Sequence, residues 1–279
     1  MNNIKLFIGT EEIELKIFKF PGGEMNVQIL GDTRNPWNEC RIVAKVINSD
    51  NLMSLLLLTD ACKRFWGGDT KIELVLPYLP YMQQDRVCNN GEALSSKVLC
   101  DLINLQGYNS VTVYDPHSDV APALLNNCII VEQHILLKGI ENHIDISNTQ
   151  LAIPDAGAMK KGHKVAKHLG IADIIECGKN RAVQTGRITD TKVYSEVDPN
   201  KDILVVDDIC AGGATFVALA EKLRTLTKGD LYLYTTHGIY SKGLAPLLKH
   251  YKHLFTANSF CDNVNEDFLT ILKYKGDKQ

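Results

Sequence analysis

The sequence predicts an α/β protein that contains two mainly parallel sheets, each flanked by helices. Three observations support this prediction. Short β-branched or alternating runs recur between segments with helical periodicity, an order typical of parallel sheets. The chain has 279 residues, which at roughly 100–200 residues per domain favours two domains. A polar, interrupted stretch at residues 141–148 separates two halves, so we place the domains at residues 1–145 and 146–279.

The predicted strands are short and mostly apolar, which is typical of strands that are buried on both faces of a parallel sheet. They cover residues 13–17, 41–47, 71–76, 110–114, 128–131, 151–153, 203–206 and 231–235. Between them lie helical patterns that end at or near glycine, a common stop signal. The predicted helices cover residues 50–66, 92–106, 157–169 and 213–227.

The composition excludes several classes of protein. The chain has 30 Lys and Arg against 33 Asp and Glu, a net charge of −3, so it offers no diffuse electrostatic attraction to nucleic acid or to an anionic membrane. The longest purely aliphatic run, residues 55–58, is too short to span a bilayer. Eight cysteines are scattered without zinc-ligand spacing, and no signal peptide is evident. We therefore expect a cytoplasmic protein with reduced thiols.

Two adjacent carboxylates form the strongest local signal for chemistry. The strand at residues 203–206 runs into Asp207 and Asp208, and a loop of small residues and a helix follow. Paired acids can accept hydrogen bonds from the vicinal hydroxyls of a sugar, while loop N–H groups and a helix N-terminus hold a phosphate. The loop residues are Ala211, Gly212, Gly213, Ala214 and Thr215. The alternative is an ordinary strand end with solvated acids and a glycine turn.

The glycine loop resembles the phosphoribosyl diphosphate loop of type I phosphoribosyltransferases. Residues 77–86 and 91–97 are similar to motifs of the ribose-phosphate pyrophosphokinases, also called phosphoribosyl pyrophosphate synthetases. Further stretches similar to that family follow in the family's order at residues 20–24, 115–118, 154–157, 179–181 and 236–238. The resemblance extends from about residue 20 to residue 260 of the chain.

The resemblance implies two tandem phosphoribosyltransferase-like domains, with ATP-binding motifs in the first and the ribose-phosphate loop in the second. It implies that the C1 hydroxyl of ribose 5-phosphate attacks the β-phosphorus of ATP, giving phosphoribosyl pyrophosphate and AMP, with Mg²⁺ as the cofactor. In the family the ATP site borrows residues from a neighbouring subunit, so a homo-oligomer is implied too.

The resemblance also assigns roles to single residues. His117 and Asp155 match positions near the metal, and His117 also lies at the ATP site. Lys179 and Arg181 match a mobile basic loop that closes over the transferring phosphates, where cations offset developing charge. We therefore take Lys179, Arg181 and His117 as catalytic. The residues implied at the ATP site are Phe20, Glu24, Gln83, Gln84, Asp85 and His117.

Two departures from the family pattern bear on the substrates. Gln83 stands where the family usually carries Arg, so a charged contact to ATP is missing. In the loop at residues 211–215 only Thr215 keeps a hydroxyl, which leaves room beyond the phosphate. An acceptor larger than ribose 5-phosphate is then an alternative, with ADP-ribose as the candidate and ADP-ribose pyrophosphate, a precursor for NAD salvage, as the product. Ribose 5-phosphate remains the first expectation.

Two other functions compete with this one. A phosphoribosyltransferase would need only the loop at residues 207–215 and would leave residues 77–86 unexplained. A non-catalytic regulatory homologue would not need the retained His117, Asp155 and basic pair.

Overall fold

The computed structural model describes residues 3–31, 35, 38–181, 188–260 and 267–274, with the backbone alone at residues 179–181 and 188–190. The chain forms two compact units, an N-terminal unit that spans Met1–Val131 and a C-terminal unit that spans Glu132–Lys275. In the part of the chain that the structure describes, no helix combines the length and the hydropathy needed to cross a membrane.

The N-terminal unit is built on a mixed sheet of six described strands. These are β1 (Ile4–Ile8), β2 (Glu11–Ile13), β5 (Glu39–Ala44), β6 (Lys71–Leu76), β7 (Ser110–Tyr114) and β8 (Cys128–Val131). Their order is β2-β1-β5-β6-β7-β8, and β5 to β8 are parallel. The strands β3 (Leu15–Lys19) and β4 (Met25–Ile29) form a separate hairpin. The helices are α1 (Ser49–Trp66), α2 (Ser95–Asn104) and α3 (Val120–Leu124).

The predicted strand at residues 13–17 is in fact two strands in different sheets. Ile13 ends β2 and pairs with Leu6 of β1, whereas Leu15 begins β3 and pairs with Ile29 of β4. Glu14 lies between the two strands, and its carbonyl accepts a hydrogen bond from the Leu30 N–H at 3.0 Å. The alternating pattern runs through this change of sheet, so periodicity alone does not reveal it.

The C-terminal unit contains a sheet of seven described strands. These are β9 (Thr149–Ile153), β10 (Ile174–Arg181), β11 (Ile188–Val193), β12 (Asp202–Cys210), β13 (Leu231–Gly238), β14 (His253–Ala257) and β15 (Leu269–Leu272). Their order is β11-β10-β9-β12-β13-β14-β15, and only β11 runs antiparallel to its neighbour. The helices are α4 (Gln133–Leu136), α5 (Met159–Leu169), α6 (Ala214–Arg224) and α7 (Ala245–Leu248). Single 3₁₀ turns cover Ile140–Asn142, Ile146–Asn148 and Ala156–Ala158.

Buried side chains cover both faces of this second sheet, as the parallel arrangement requires. On one face, Phe216 and Leu219 of α6 pack with Val205 of β12. On the other face, Val165 of α5 packs with Leu204 and Val206 of β12. The predicted fold class, two mainly parallel sheets with helices, is confirmed.

The two units divide between Val131 and Glu132, whereas the sequence placed the boundary between residues 145 and 146. The stretch at 141–148 does contain polar turns. However, Leu137, Ile140 and Ile144 are buried in the same cluster as Leu151 of β9. The segment before the predicted boundary therefore belongs to the core of the C-terminal unit.

Candidate active site

The two adjacent acids lie inside strand β12 rather than after it. The parallel ladder between β12 and β13 continues as far as Cys210 and Gly238, so it includes Asp207, which pairs with Thr235. The predicted strand end at residue 206 was wrong because the long partner strand carries the pairing past the acids. Since neighbouring side chains of a strand point to opposite faces, Asp207 and Asp208 have different surroundings.

Asp208 is buried and faces helix α5. Its side chain is only 9% exposed, and its Oδ2 lies 3.2 Å from the Nζ of Lys161, whose side chain is 25% exposed. Leu204 and Val206, on the same face of β12, pack against α5 as well. A buried carboxylate is costly without a partner, and Lys161 supplies a positive charge.

Asp207 is half-buried, and hydrogen bonds fix both its side chain and its carbonyl group. Its Oδ1 accepts the N–H of Asp208 at 2.9 Å. Its carbonyl oxygen accepts the Nε2–H of the buried Gln133 at 2.8 Å. Gln133 belongs to α4, which the sequence did not predict, so this contact to the acid pair was missed.

The glycine loop turns the chain from β12 into α6. Gly213 precedes the helix with a φ of 78°, in the left-handed region that favours glycine. Its carbonyl accepts the N–H groups of Phe216 and Val217 at 3.0 Å. Ala211 and Ala214 are exposed, and Thr215 is half-buried. The loop therefore presents mainly small side chains and backbone at the N-terminus of a helix, where anions are favoured.

Cys210 lies directly before this loop and is fully buried. Burial, together with the charge of Asp207, raises the pKa of its thiol to about 12, although a hydrogen bond from the Gly213 N–H opposes this rise. The Cys210 thiol is therefore protonated at neutral pH.

Asp155 follows β9, the strand that pairs with β12. The register places Ala152 beside Val205, so Asp155 is at about the same level of the sheet edge as the acid pair. The carboxylate is half-buried and caps the following turn, accepting the N–H of Gly157 at 2.9 Å and that of Ala158 at 3.3 Å. The turn thus holds the Asp155 carboxylate beyond the carboxyl end of β9, at about the level of the acid pair in β12.

Asp85 and His117 come together in the N-terminal unit. The Asp85 side chain is 3% exposed and accepts a hydrogen bond from the Arg86 Nε at 2.9 Å. That bond lowers the pKa of Asp85 although burial opposes it, and a hydrogen bond with Ser118, the Arg86 charge and the nearby His117 lower it further. The strands β6 and β7 are neighbours, and the segments that follow them bring these predicted residues together.

The other predicted ATP residues are exposed. Gln83 and Gln84 lie on the segment after β6. Phe20 and Glu24 close the β3–β4 hairpin through a Phe20 N–H to Glu24 carbonyl bond of 2.8 Å. The Phe20 ring is 47% exposed and rests edge-on against Phe18, with the ring centroids 4.9 Å apart. This hairpin therefore presents an aromatic face on a separate two-stranded sheet.

Lys179 and Arg181 are on strand β10 rather than on a loop. Lys179 pairs with Thr191 and Arg181 with Ile188, with a register shift after Asn180. Because β11 pairs with them in an antiparallel ladder, residues 179–181 form a strand where a loop was predicted. The side chains of both residues lie outside the described part of the structure.

Oxygen donors at the edge of the second sheet suit Mg²⁺, which binds through one or two carboxylates and keeps water and phosphate oxygens as its other ligands. Asp155 fits that requirement as a partly exposed carboxylate held by its own turn. Among the described residues there is no cluster of three or more Asp, Glu, His or Cys side chains that could hold a metal ion.

Buried polar groups behind the acid pair were also missed. The similar stretch at residues 236–238 carried no predicted role. His237 is fully buried, and its Nδ1 lies 2.9 Å from the Ser259 Oγ, which donates to the Thr236 carbonyl at 2.6 Å. His237 pairs in register with Ile209, the residue after Asp208. The β13 residues of this network lie beside the part of β12 that carries the acids.

Comparison with known proteins identifies the family. The model of the N-terminal domain of ribose phosphate pyrophosphokinase matches residues 1–107. A ribose-phosphate pyrophosphokinase of Pyrococcus abyssi is 30% identical over 240 residues, which cover 83% of this chain and 78% of the relative. The chain belongs to the ribose-phosphate pyrophosphokinase family. It is an enzyme of that class. A second ribose-phosphate pyrophosphokinase, from Campylobacter jejuni, is 28% identical over 267 residues, which cover 86% of this chain and 82% of the relative.

The fold agrees with this assignment. A phosphoribosylpyrophosphate synthetase from Mycobacterium smegmatis superposes with a TM-score of 0.81 at 21% identity, over 95% of this chain and 88% of the other. This likeness confirms the two-unit architecture predicted from the sequence.

Proposed function

We propose that this member of the ribose-phosphate pyrophosphokinase family transfers the diphosphoryl group of ATP to the C1 hydroxyl of ribose 5-phosphate. The products are phosphoribosyl pyrophosphate and AMP. The observation that carries the proposal is the acid pair of β12, which leads directly into a glycine loop at the N-terminus of α6. Family membership supports the same reaction.

The C-terminal unit supplies the acceptor site in this proposal. The carboxylates of Asp207 and Asp208 accept hydrogen bonds from the ribose hydroxyls, and both acids are fixed in a strand. The N–H groups of the loop at residues 211–215 and the Thr215 hydroxyl hold the 5-phosphate, which the N-terminus of α6 favours. The sugar is thereby oriented with its C1 hydroxyl away from the phosphate loop.

The transfer itself forms one bond and breaks another. The C1 oxygen bonds to the β-phosphorus of ATP and loses its proton, and the bond from that phosphorus to the oxygen shared with the α-phosphate breaks, which releases AMP. Lys179 and Arg181 offset the charge that develops on the phosphate oxygens. Asp155 would hold Mg²⁺, which when bound neutralises the phosphates of ATP, and the family resemblance also implies a role for His117 near the metal. Phe20, Glu24, Gln84 and Asp85 bind the nucleotide.

A second candidate acceptor is ADP-ribose, whose terminal ribose also has a C1 hydroxyl. The observation that favours it is the exposure of Ala211 and Ala214, which carry only methyl groups. A phosphate that continues into a second phosphate needs an exit from its site, and small exposed side chains provide one. The same transfer would then give ADP-ribose pyrophosphate.

Product analysis tests the proposal. The purified protein is incubated with ATP, Mg²⁺ and either ribose 5-phosphate or ADP-ribose, and mass spectrometry identifies the products. We expect AMP and phosphoribosyl pyrophosphate in equal amounts. Product from ADP-ribose alone would move the function to the second candidate. ATP binding without turnover would identify a regulatory homologue. In a separate incubation with phosphoribosyl pyrophosphate and a nucleobase, consumption of both would identify a phosphoribosyltransferase.

Variants locate the activity at the acid pair. Asp207→Asn removes one charge-assisted hydrogen bond, which is worth about 1.5–3 kcal/mol, so we expect the KM for the sugar phosphate to rise at least about 10-fold. The matched control is Asp173→Asn, because Asp173 is an exposed acid before β10 that pairs with Lys201. Equal kinetics in both variants would contradict the proposed acceptor site. Light scattering of the same samples tests the homo-oligomer that we also propose.

A further inference from the structure

Lys161 provides a positive charge beside the acid pair, and the sequence alone did not indicate this role. It lies in the first turn of α5, and its Nζ is 3.2 Å from the Oδ2 of Asp208. Asp155 lies six residues earlier on the same run of chain, and it caps the turn that precedes α5. One segment therefore carries both a proposed metal ligand and a cation that contacts the proposed sugar-binding acids.

The Lys161–Asp208 pair differs from the surface ion pairs of the same unit. Its side chains are 25% and 9% exposed, whereas those of the pair between Lys164 of α5 and Glu132 are 45% and 41% exposed. Surface pairs are screened by water and salt and contribute little. A buried carboxylate depends far more on its partners, so the ammonium of Lys161 contributes strongly to how the Asp208 carboxylate is held.

The position of Lys161 is set by close packing of α5 on the sheet. A Cβ on the neighbouring Gly162 would lie 2.6 Å from the Cδ1 of Ile153 in β9, so only glycine lets the helix approach this closely. Val165, one turn further along, is fully buried against β12. The backbone that carries Lys161 is therefore fixed relative to the strand that carries Asp208.

We propose that Lys161 is a positioning residue for the acceptor sugar. Its ammonium holds the Asp208 carboxylate in one orientation, so the ribose hydroxyls meet an acceptor that is already in place. This inference rests on the proposed function, because it takes the acid pair as the sugar site. In this inference Lys161 acts through Asp208 and not on the nucleotide, so its loss affects the affinity for the sugar phosphate and spares that for ATP.

Steady-state kinetics of two Lys161 variants test the inference. For Lys161→Met we expect the KM for the sugar phosphate to rise at least about 10-fold, with the KM for ATP within twofold of the wild type. Lys161→Arg keeps the charge and should restore most of the affinity. The matched control is Lys167→Met, which removes an exposed lysine from the same helix and should leave both KM values unchanged. Thermal melting identifies any variant that fails to fold.

The double variant Lys161→Met/Asp208→Asn separates positioning from direct contact. If Lys161 acts through Asp208, the double variant loses no more sugar affinity than Asp208→Asn alone. Additive losses, or a Lys161→Met variant with unchanged sugar KM, would overturn the inference while the wild-type activity still supports the proposed function. A wild-type protein that binds no ribose 5-phosphate or ADP-ribose in calorimetry would instead refute the proposed function, and the inference with it.

Discussion

Replacing Gly213 by alanine separates the strain of the glycine loop from its role in binding. Gly213 has a φ of 78°, and an added Cβ would approach Leu247 only to 3.4 Å, an ordinary contact distance. The substitution therefore causes backbone strain and no serious clash. Holding a non-glycine residue in the left-handed region costs about 1–2 kcal/mol. For a unit of this size, we expect the melting temperature to fall by about 2–8 °C.

Gly170 provides a matched control within the same unit. It follows α5 with a φ of 73°, and a Cβ there would meet nothing within 4 Å. Gly170→Ala should therefore cost about the same stability as Gly213→Ala. It lies at the end of α5, away from the phosphate loop, so it should leave the affinity for the sugar phosphate unchanged.

Kinetics then distinguish the two variants. In Gly213→Ala, the backbone relieves the strain by leaving the left-handed region, which turns the N–H groups of the loop away from the phosphate. Losing one such charge-assisted bond raises the KM for the sugar phosphate at least about 10-fold. The assay measures product formation against sugar phosphate concentration at saturating ATP. Equal KM values in Gly213→Ala and Gly170→Ala, together with equal losses of stability, would refute the backbone phosphate site.

Two further predictions concern stability. A Cβ on Gly229 would lie 2.1 Å from the carbonyl oxygen of Lys201. Gly229→Ala should therefore lower the free energy of unfolding, measured by denaturant titration, by about 3 kcal/mol. The control is Gly68→Ala, which should be nearly neutral because a Cβ there meets nothing within 4 Å. The pKa of Asp85 is held below its usual value mainly by Arg86, so its stabilising effect is present above the ordinary carboxyl pKa and is lost as the pH falls through the lower, folded value. Asp85→Asn should therefore destabilise the protein more at pH 7 than at about pH 2, and equal losses at both pH values would contradict this account.

The sequence predicted three strands of the N-terminal sheet best. The observed bounds of β6, β7 and β8 coincide with the predicted ones, because each is a short β-branched or alternating run between turn signals. The hairpin of β10 and β11 was not predicted as paired strands, since its residues include Lys179, Asn180 and Lys192. Such a polar stretch becomes a strand through pairing with its partner at the sheet edge, which a local pattern does not show.

The candidate site was predictable where its residues adjoin in sequence. Asp207 and Asp208 stand together before the glycine loop, and that order indicated their chemistry. Lys161 is 47 residues away from Asp208 along the chain and is one of several lysines in α5. Only the packing of α5 against β12 selects it from the others. The contact of Gln133 with Asp207 likewise depends on the fold.

For the proposed sugar site, the placement of the acid pair inside β12 has a consequence for selectivity. A carboxylate on a loop can shift to suit differently shaped ligands, but one on a central strand is tied to neighbours on both sides and moves by little more than side-chain rotation. Such a surface discriminates by mismatch: a pentose whose hydroxyls have the wrong stereochemistry finds no compensating adjustment. In the proposed site, tolerance for different acceptors would arise at the phosphate end, where small residues leave space, while the sugar ring would have to fit carboxylates that cannot shift.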